Sequence, residues 1–205
     1  MALHILEVKI TMNEPLFLFV GKSSSGKTTV ASKLEERYGL KQVFSYCTRP
    51  PRYEGEIGHI FVSNEEFNDL GELAAYTNYA GWRYGTTFEQ LDKCEIYVID
   101  VNGVKTLLER CWHYNRQIRV IYFNASTYTR IQRMLNRGDS DAQIISRLLQ
   151  DEKEDWYDQL NALVWHYAHN EHRDIELHSV DANQHVSDVV SQVVSYMKKH
   201  KEEMV

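Results

Sequence analysis

An apolar run, LFLFV at residues 16–20, passes directly into GKSSSGKTT at residues 21–29. No other stretch constrains the fold as strongly. Leu16 to Val20 reads as a buried strand, and Lys27 to Tyr38 as a helix stopped at Gly39. The loop between them satisfies G-x-x-x-x-G-K-[ST] through Gly21, Gly26, Lys27 and Thr28. Its glycines let backbone N–H groups turn inward around oxyanions, and the helix N-terminus adds partial positive charge. The pattern predicts an ATP-binding loop of Gly21, Ser23, Ser24, Ser25, Gly26, Lys27, Thr28 and Thr29. Lys27 would reach the β- and γ-phosphates, and Thr28 would hold Mg²⁺.

The remaining chain alternates short β-branched or aromatic runs with helical patterns, which predicts an α/β fold with a largely parallel sheet. Strands are expected at Gln42–Ser45, Glu95–Asp100, Ile118–Phe123 and Asp174–Leu177, with extended, turn-containing chain over Leu73–Tyr84. Helices are expected from Ser63, from about Gly103, over Ser126–Arg137, and as one long helix from Ala142. Val186, Val189, Val190, Val193, Val194 and Met197 recur at helical spacing and read as the core face of a closing helix. A length of 205 residues fits one domain. A net charge of −6 argues against a partner bound through its nucleic-acid backbone. No apolar run reaches spanning length, and MALHILEVKITMNE lacks the pattern of a secretory signal. The three scattered cysteines, Cys47, Cys94 and Cys111, read as reduced thiols. A cytoplasmic protein without nucleic-acid or membrane partners, monomer or homodimer, is therefore expected.

A loop that holds the donor's phosphates needs a second group of cations for an acceptor. SYCTRPPR, residues 45–52, supplies one: Arg49 and Arg52 lie three apart, stiffened by Pro50 and Pro51, with the Ser45 and Thr48 hydroxyls beside them. A third set follows from Arg130, Arg133 and Arg137, which share one helix face before the polar break GDSD. Such a face suits a lid that closes over phosphates and excludes water.

In family order, the segments S-x-x-T-R-x-P-R, H-I-F-V-S-x-E-E-F, G-x-x-Y-G-T-T, I-D-x-x-G-V and M-L-N-R-G-D-S-D resemble the guanylate kinase family from about Phe17 to Arg147. The resemblance implies a P-loop NTPase three-layer sandwich with a parallel central sheet, a small nucleoside-monophosphate lobe (45–90) and a helical lid (130–150). It implies transfer of the ATP γ-phosphoryl group to GMP or dGMP, with Mg²⁺ as cofactor. Ser45, Arg49, Arg52 and Tyr84 would bind the acceptor phosphate, and Thr86 would contact guanine. Asp100 would sit near Mg²⁺ or the acceptor, and Arg133, Arg137 and Arg147 would serve as the lid arginines beside Lys27. The core would comprise 14–44, 91–129 and 151–205.

The chain departs from that pattern at four places. Ala75 stands where the family carries a glutamate that pairs with guanine, and Asn78 or Glu72 could take its place only through a strand bulge. His59 replaces a phosphate-binding tyrosine and would itself donate to the acceptor phosphate. Val98-Ile99-Asp100 holds one acid where two are usual, and Cys47 replaces a threonine. Two other readings therefore stay open: a kinase of similar fold acting on another nucleotide or a phosphorylated sugar such as ribose bisphosphate, and a non-catalytic protein-binding module. The His166/His169/His172 row reads as a solvated helix edge and Asp151–Asp155 as helix surface. The adenine pocket is expected near Val180–Gln184.

Overall fold

A computed structural model describes residues 14–52, 54–111, 116–152 and 155–200. The amino-terminal stretch read above for a signal, up to residue 13, lies outside them. The elements begin with β1 (Leu16–Val20), α1 (Lys27–Tyr38), β2 (Gln42–Val43), β3 (Ser45–Cys47), β4 (His59–Phe61) and α2 (Asn64–Asn68). They continue with β5 (Leu73–Tyr79), β6 (Trp82–Thr87), α3 (Phe88–Asp92), β7 (Ile96–Val98), α4 (Val101–Arg110) and β8 (Ile118–Asn124). The last are α5 (Thr127–Arg137), α6 (Asp141–Asp151), α7 (Trp156–His169), β9 (Ile175–Asp181) and α8 (Val186–Lys198).

Five strands form a parallel sheet in the order β2-β7-β1-β8-β9. All five residues of β1 are buried because both of its faces are covered. Leu16, Leu18 and Val20 pack among residues of α4 and α7, whereas Phe17 and Phe19 pack among residues of α1 and α8. The sheet is thus the middle of three layers, the P-loop NTPase arrangement expected from the sequence. The loop after β1 opens at the carboxyl end of these strands, where ligands of open α/β sheets bind.

A second sheet, in the order β4-β3-β6-β5, stands beside the first. It corrects the single strand expected over Gln42–Ser45: β2 pairs with β7 in the parallel sheet, while β3 pairs with β4 and β6 in the other. The chain changes sheets at Phe44, whose carbonyl accepts a hydrogen bond from Gln90 Nε2 at 2.9 Å. β5 and β6 form a hairpin whose turn places Ala80 at φ 52° and Gly81 at φ 81°. The expected long helix from Ala142 is two helices. α6 ends at Asp151, and the Asp155 carboxylate accepts from the Tyr157 and Asp158 amides to start α7.

Candidate active site

The loop between β1 and α1 is fitted to its neighbours by glycine. A Cβ on Gly21 would lie 2.8 Å from the Phe123 carbonyl oxygen on β8, a contact only glycine allows. Gly26, at φ 100°, starts α1 in a left-handed conformation. Lys27 Nζ lies over the loop and donates to the carbonyls of Gly21 (2.5 Å) and Lys22 (3.0 Å) and to Ser25 Oγ (3.2 Å). Burial pushes its ammonium down to about 8, and nearby Asp151 only partly opposes this. A phosphate close to such a lysine would raise that value again and hold the charge to higher pH.

The loop opens into a cleft of about 730 Å³. At one end, Gln184, His185, Val186 and Val189 border it, close to the segment expected to form the adenine pocket. Two valines of the core stripe therefore also line the cleft. Arg133 joins this end to the loop: Nη1 donates to the Ser25 carbonyl (3.0 Å), and Nη2 donates to the Ala182 carbonyl (2.7 Å).

At the other end stand Ser45, Arg52, His59, Thr77, Tyr79, Tyr84 and Tyr97. Arg49 and Thr86 are not among the lining residues. Arg49 is 6% exposed and grips Glu56 with both terminal nitrogens, at 2.8 and 2.6 Å, while its Nε donates to Tyr84 Oη at 3.1 Å. Glu56 also accepts from the Arg52 amide at 2.7 Å. Burial disfavours the Glu56 charge, yet Arg49 and the Arg52 amide prevail and hold its carboxyl down at about 2. Glu56 thus shapes the turn that aims Arg52 into the cleft. Burial, reinforced by the Arg49 charge, lowers His59 to about 4, so it faces the cleft as a neutral ring. Burial likewise pushes the Tyr84 hydroxyl up to about 12. Thr86 is fully buried.

Asp100 caps α4 by accepting from the Gly103 amide at 2.6 Å, and its other oxygen accepts from Thr77 Oγ1 at 3.1 Å. It borders the cleft together with Thr28. A hydroxyl and a carboxylate are hard oxygen donors that suit Mg²⁺ arriving with a nucleotide's phosphates rather than in an all-protein cage. Among the described residues no group of three or more His, Cys, Asp or Glu side chains could hold a metal.

The three arginines expected on one lid face divide. Arg133 and Arg137 line the cleft, as does Arg147. Arg137 binds Asp139 through Nε at 2.9 Å, and Arg147 Nε lies 3.4 Å from the same carboxylate. Arg130 instead points inward, 1% exposed, and donates to Asp151 at 2.7 Å. Asp151, expected on a helix surface, is fully buried and also accepts from the Ser23 amide at 2.8 Å and from Tyr79 Oη at 2.9 Å. Neither Asp151 nor Glu56 carries a local signal of its role, because each is an acid beside other polar residues in a helix end or loop. The histidine row ends with α7: His172 lies beyond it at φ 52°.

A parallel sheet that opens into a phosphate-holding loop, facing a second sheet that presents an arginine and hydroxyls across one cleft, defines a P-loop phosphotransferase. No family model matches the chain. The guanylate kinase of Geobacter metallireducens is 31% identical over 162 residues, spanning 70% of this chain and 77% of that protein. The guanylate kinase of Neisseria meningitidis serogroup A is 31% identical over 147 residues, 65% of this chain and 70% of that protein. The crystal structure of guanylate kinase from Anaplasma phagocytophilum shares the fold, with a TM-score of 0.55 at 20% identity over 94% of this chain and 88% of its own. The chain belongs to the guanylate kinase family.

Proposed function

We propose that the protein is an ATP-dependent nucleoside monophosphate kinase that transfers the γ-phosphoryl group of Mg·ATP to GMP or dGMP. The observation that carries this reading is one cleft bordered by Lys27 of the phosphate loop, by Arg133, Arg137 and Arg147, and by the Arg52, Tyr84 and Ser45 group opposite. The first set would neutralise the donor phosphates and the transferring group. The second would hold the acceptor's own phosphate so that one of its oxygens attacks the γ-phosphorus as the bond to the β-phosphate oxygen breaks. No protein nucleophile is needed. Residues 45–90 would move as the acceptor lobe and 130–150 as the lid. Mg²⁺, held through Thr28 and Asp100, would help offset the charge on the donor phosphates.

One observation favours a second reading, in which the acceptor is another monophosphate. Ala75 is 1% exposed and packs in the core, so no carboxylate stands at the position that reads guanine elsewhere in the family. The strand pairing does shift between Leu73 and Ala75. Even so, Glu72 and Asn78 are both exposed and neither borders the cleft. Thr77, Tyr97 and Val98 border the cleft instead.

ADP release with a panel of acceptors (GMP, dGMP, AMP, IMP, CMP, UMP and ribose 1,5-bisphosphate) tests both readings. GMP or dGMP turning over fastest supports the first, and a faster rate with any other acceptor selects the second. A cytoplasmic location is part of the proposal; among the described residues no helix is long and apolar enough to cross a membrane.

A further inference from the structure

The Asp151 carboxylate joins three parts of the molecule that have no contact in sequence. It closes α6, the helix after the lid turn. It accepts from Arg130 on α5 at 2.7 Å and from Ser23 of the phosphate loop, through the amide at 2.8 Å and Oγ at 3.2 Å. It also accepts from Tyr79 Oη, at the tip of β5, at 2.9 Å. Tyr79 Oη lies 3.5 Å from Ser23 Oγ as well. Asp151 is therefore a fully buried acceptor with every partner on a different element. Two residues along the same strand face, Thr77 Oγ1 donates to Asp100 at 3.1 Å. A displacement of Ser23 by entering phosphates must then be accommodated by the β5–β6 hairpin or break a charge-assisted hydrogen bond.

We propose that the Ser23–Asp151–Tyr79 contact is a strut that transmits occupancy of the phosphate loop to the β5–β6 hairpin, which makes Tyr79 and Asp151 positioning residues for phosphoryl transfer. The proposal rests on the reading that the loop holds a nucleotide triphosphate. Buried ion pairs and hydrogen-bond networks with two discrete arrangements are the physical means by which separated sites are coupled. A single hydroxyl bound to a carboxylate is strong enough to change such coupling about tenfold. Burial and the adjoining Asp151 charge keep the Tyr79 phenol protonated, so it remains the donor.

Hydrogen exchange on the whole chain, followed by mass spectrometry with and without a non-hydrolysable Mg·ATP analogue, tests the strut. Tyr79→Phe removes one hydroxyl and leaves the Arg130–Asp151–Ser23 contacts in place. In the wild type the analogue should slow exchange in both the loop (21–29) and the hairpin (73–87) by about threefold or more. In Tyr79→Phe the loop should respond as before and the hairpin should not. Equal hairpin responses in both proteins, or none in the wild type, overturn the strut. If the loop itself fails to respond, the nucleotide reading fails, and the strut is judged without nucleotide: Tyr79→Phe must then raise exchange at Ser23 about threefold, and unchanged exchange overturns it. A strut also predicts that the variant raises the acceptor KM at saturating ATP about tenfold, with the ATP KM within about twofold of wild type.

Discussion

Arg130 and Asp151 form a salt bridge of 2.7 Å in which the guanidinium is 1% exposed and the carboxylate not at all. Each charge is tolerated there because the other is present, and Ser23 and Tyr79 use the remaining lone pairs of the carboxylate. Replacing Asp151 with Ala strands a buried guanidinium and should cost about 3–5 kcal/mol in urea unfolding. The double variant Arg130→Met/Asp151→Leu should regain a substantial part of that loss. Additive losses would contradict a buried, mutually dependent pair.

Arg49 and Arg52 are three apart in sequence and should behave differently. Arg52 borders the cleft, so Arg52→Ala should raise the acceptor KM about 10- to 100-fold with little change in Tm. Arg49 is buried against Glu56, so Arg49→Ala should lower stability by about 3 kcal/mol and so report on the fold as well as on the acceptor. Thermal unfolding and steady-state kinetics on both variants separate the two roles.

Glu56 makes the same pair sensitive to acid. Its folded-state value of about 2 lies below the 4.5 expected of an unfolded glutamate. The contribution is therefore complete above about pH 4.5 and lost as the pH falls toward 2. Glu56→Gln should flatten the acid limb of a stability-versus-pH curve over that window. An unchanged limb would remove Glu56 from the account.

Lys27 gives a pH signature of the same sign in an alkaline window. Burial lowers its folded value to about 8 from 10.5, so the unfolded chain binds the extra proton between those values and stability rises with pH there. Donor phosphates favour the charged lysine, so ATP binding should take up a proton and weaken above about pH 8. Calorimetry in two buffers of different ionisation enthalpy reads the proton directly. ATP affinity independent of pH between 7 and 9.5 would contradict this role for Lys27. Lys27→Ala should retain the fold and lose about 10³-fold or more in turnover.

The phosphate loop, the parallel sheet and the cleft arginines at 52, 133 and 137 were legible in the sequence because each rests on a local pattern, whereas Arg147 entered only through the family resemblance. The loop has a fixed spacing, LFLFV has no polar face, Arg52 sits in a proline-stiffened segment, and Arg133 and Arg137 follow helical periodicity. Arg130 fits that periodicity as well as Arg133 does, yet it turns inward because an acid 21 residues later completes its site. Nothing near Asp151 distinguishes it from a solvated acid; its burial depends on where α6 ends relative to Ser23. The split at Phe44 was hidden for a related reason. An unbroken extended run shows that a strand is present but not which of two sheets each half will join. Ala75 was legible as a departure, whereas its burial in the core required the packing of the second sheet.

On the proposed function, one cleft aligns a donor triphosphate with an acceptor monophosphate. Incubating the enzyme with γ-labelled Mg·ATP and GMP, and following the label, tests it most directly. Label should appear in GDP, its release as inorganic phosphate should stay at least about a hundredfold slower, and Lys27→Ala should abolish both. Label recovered only as inorganic phosphate, or retained in ATP with GMP and every other monophosphate offered, would contradict it.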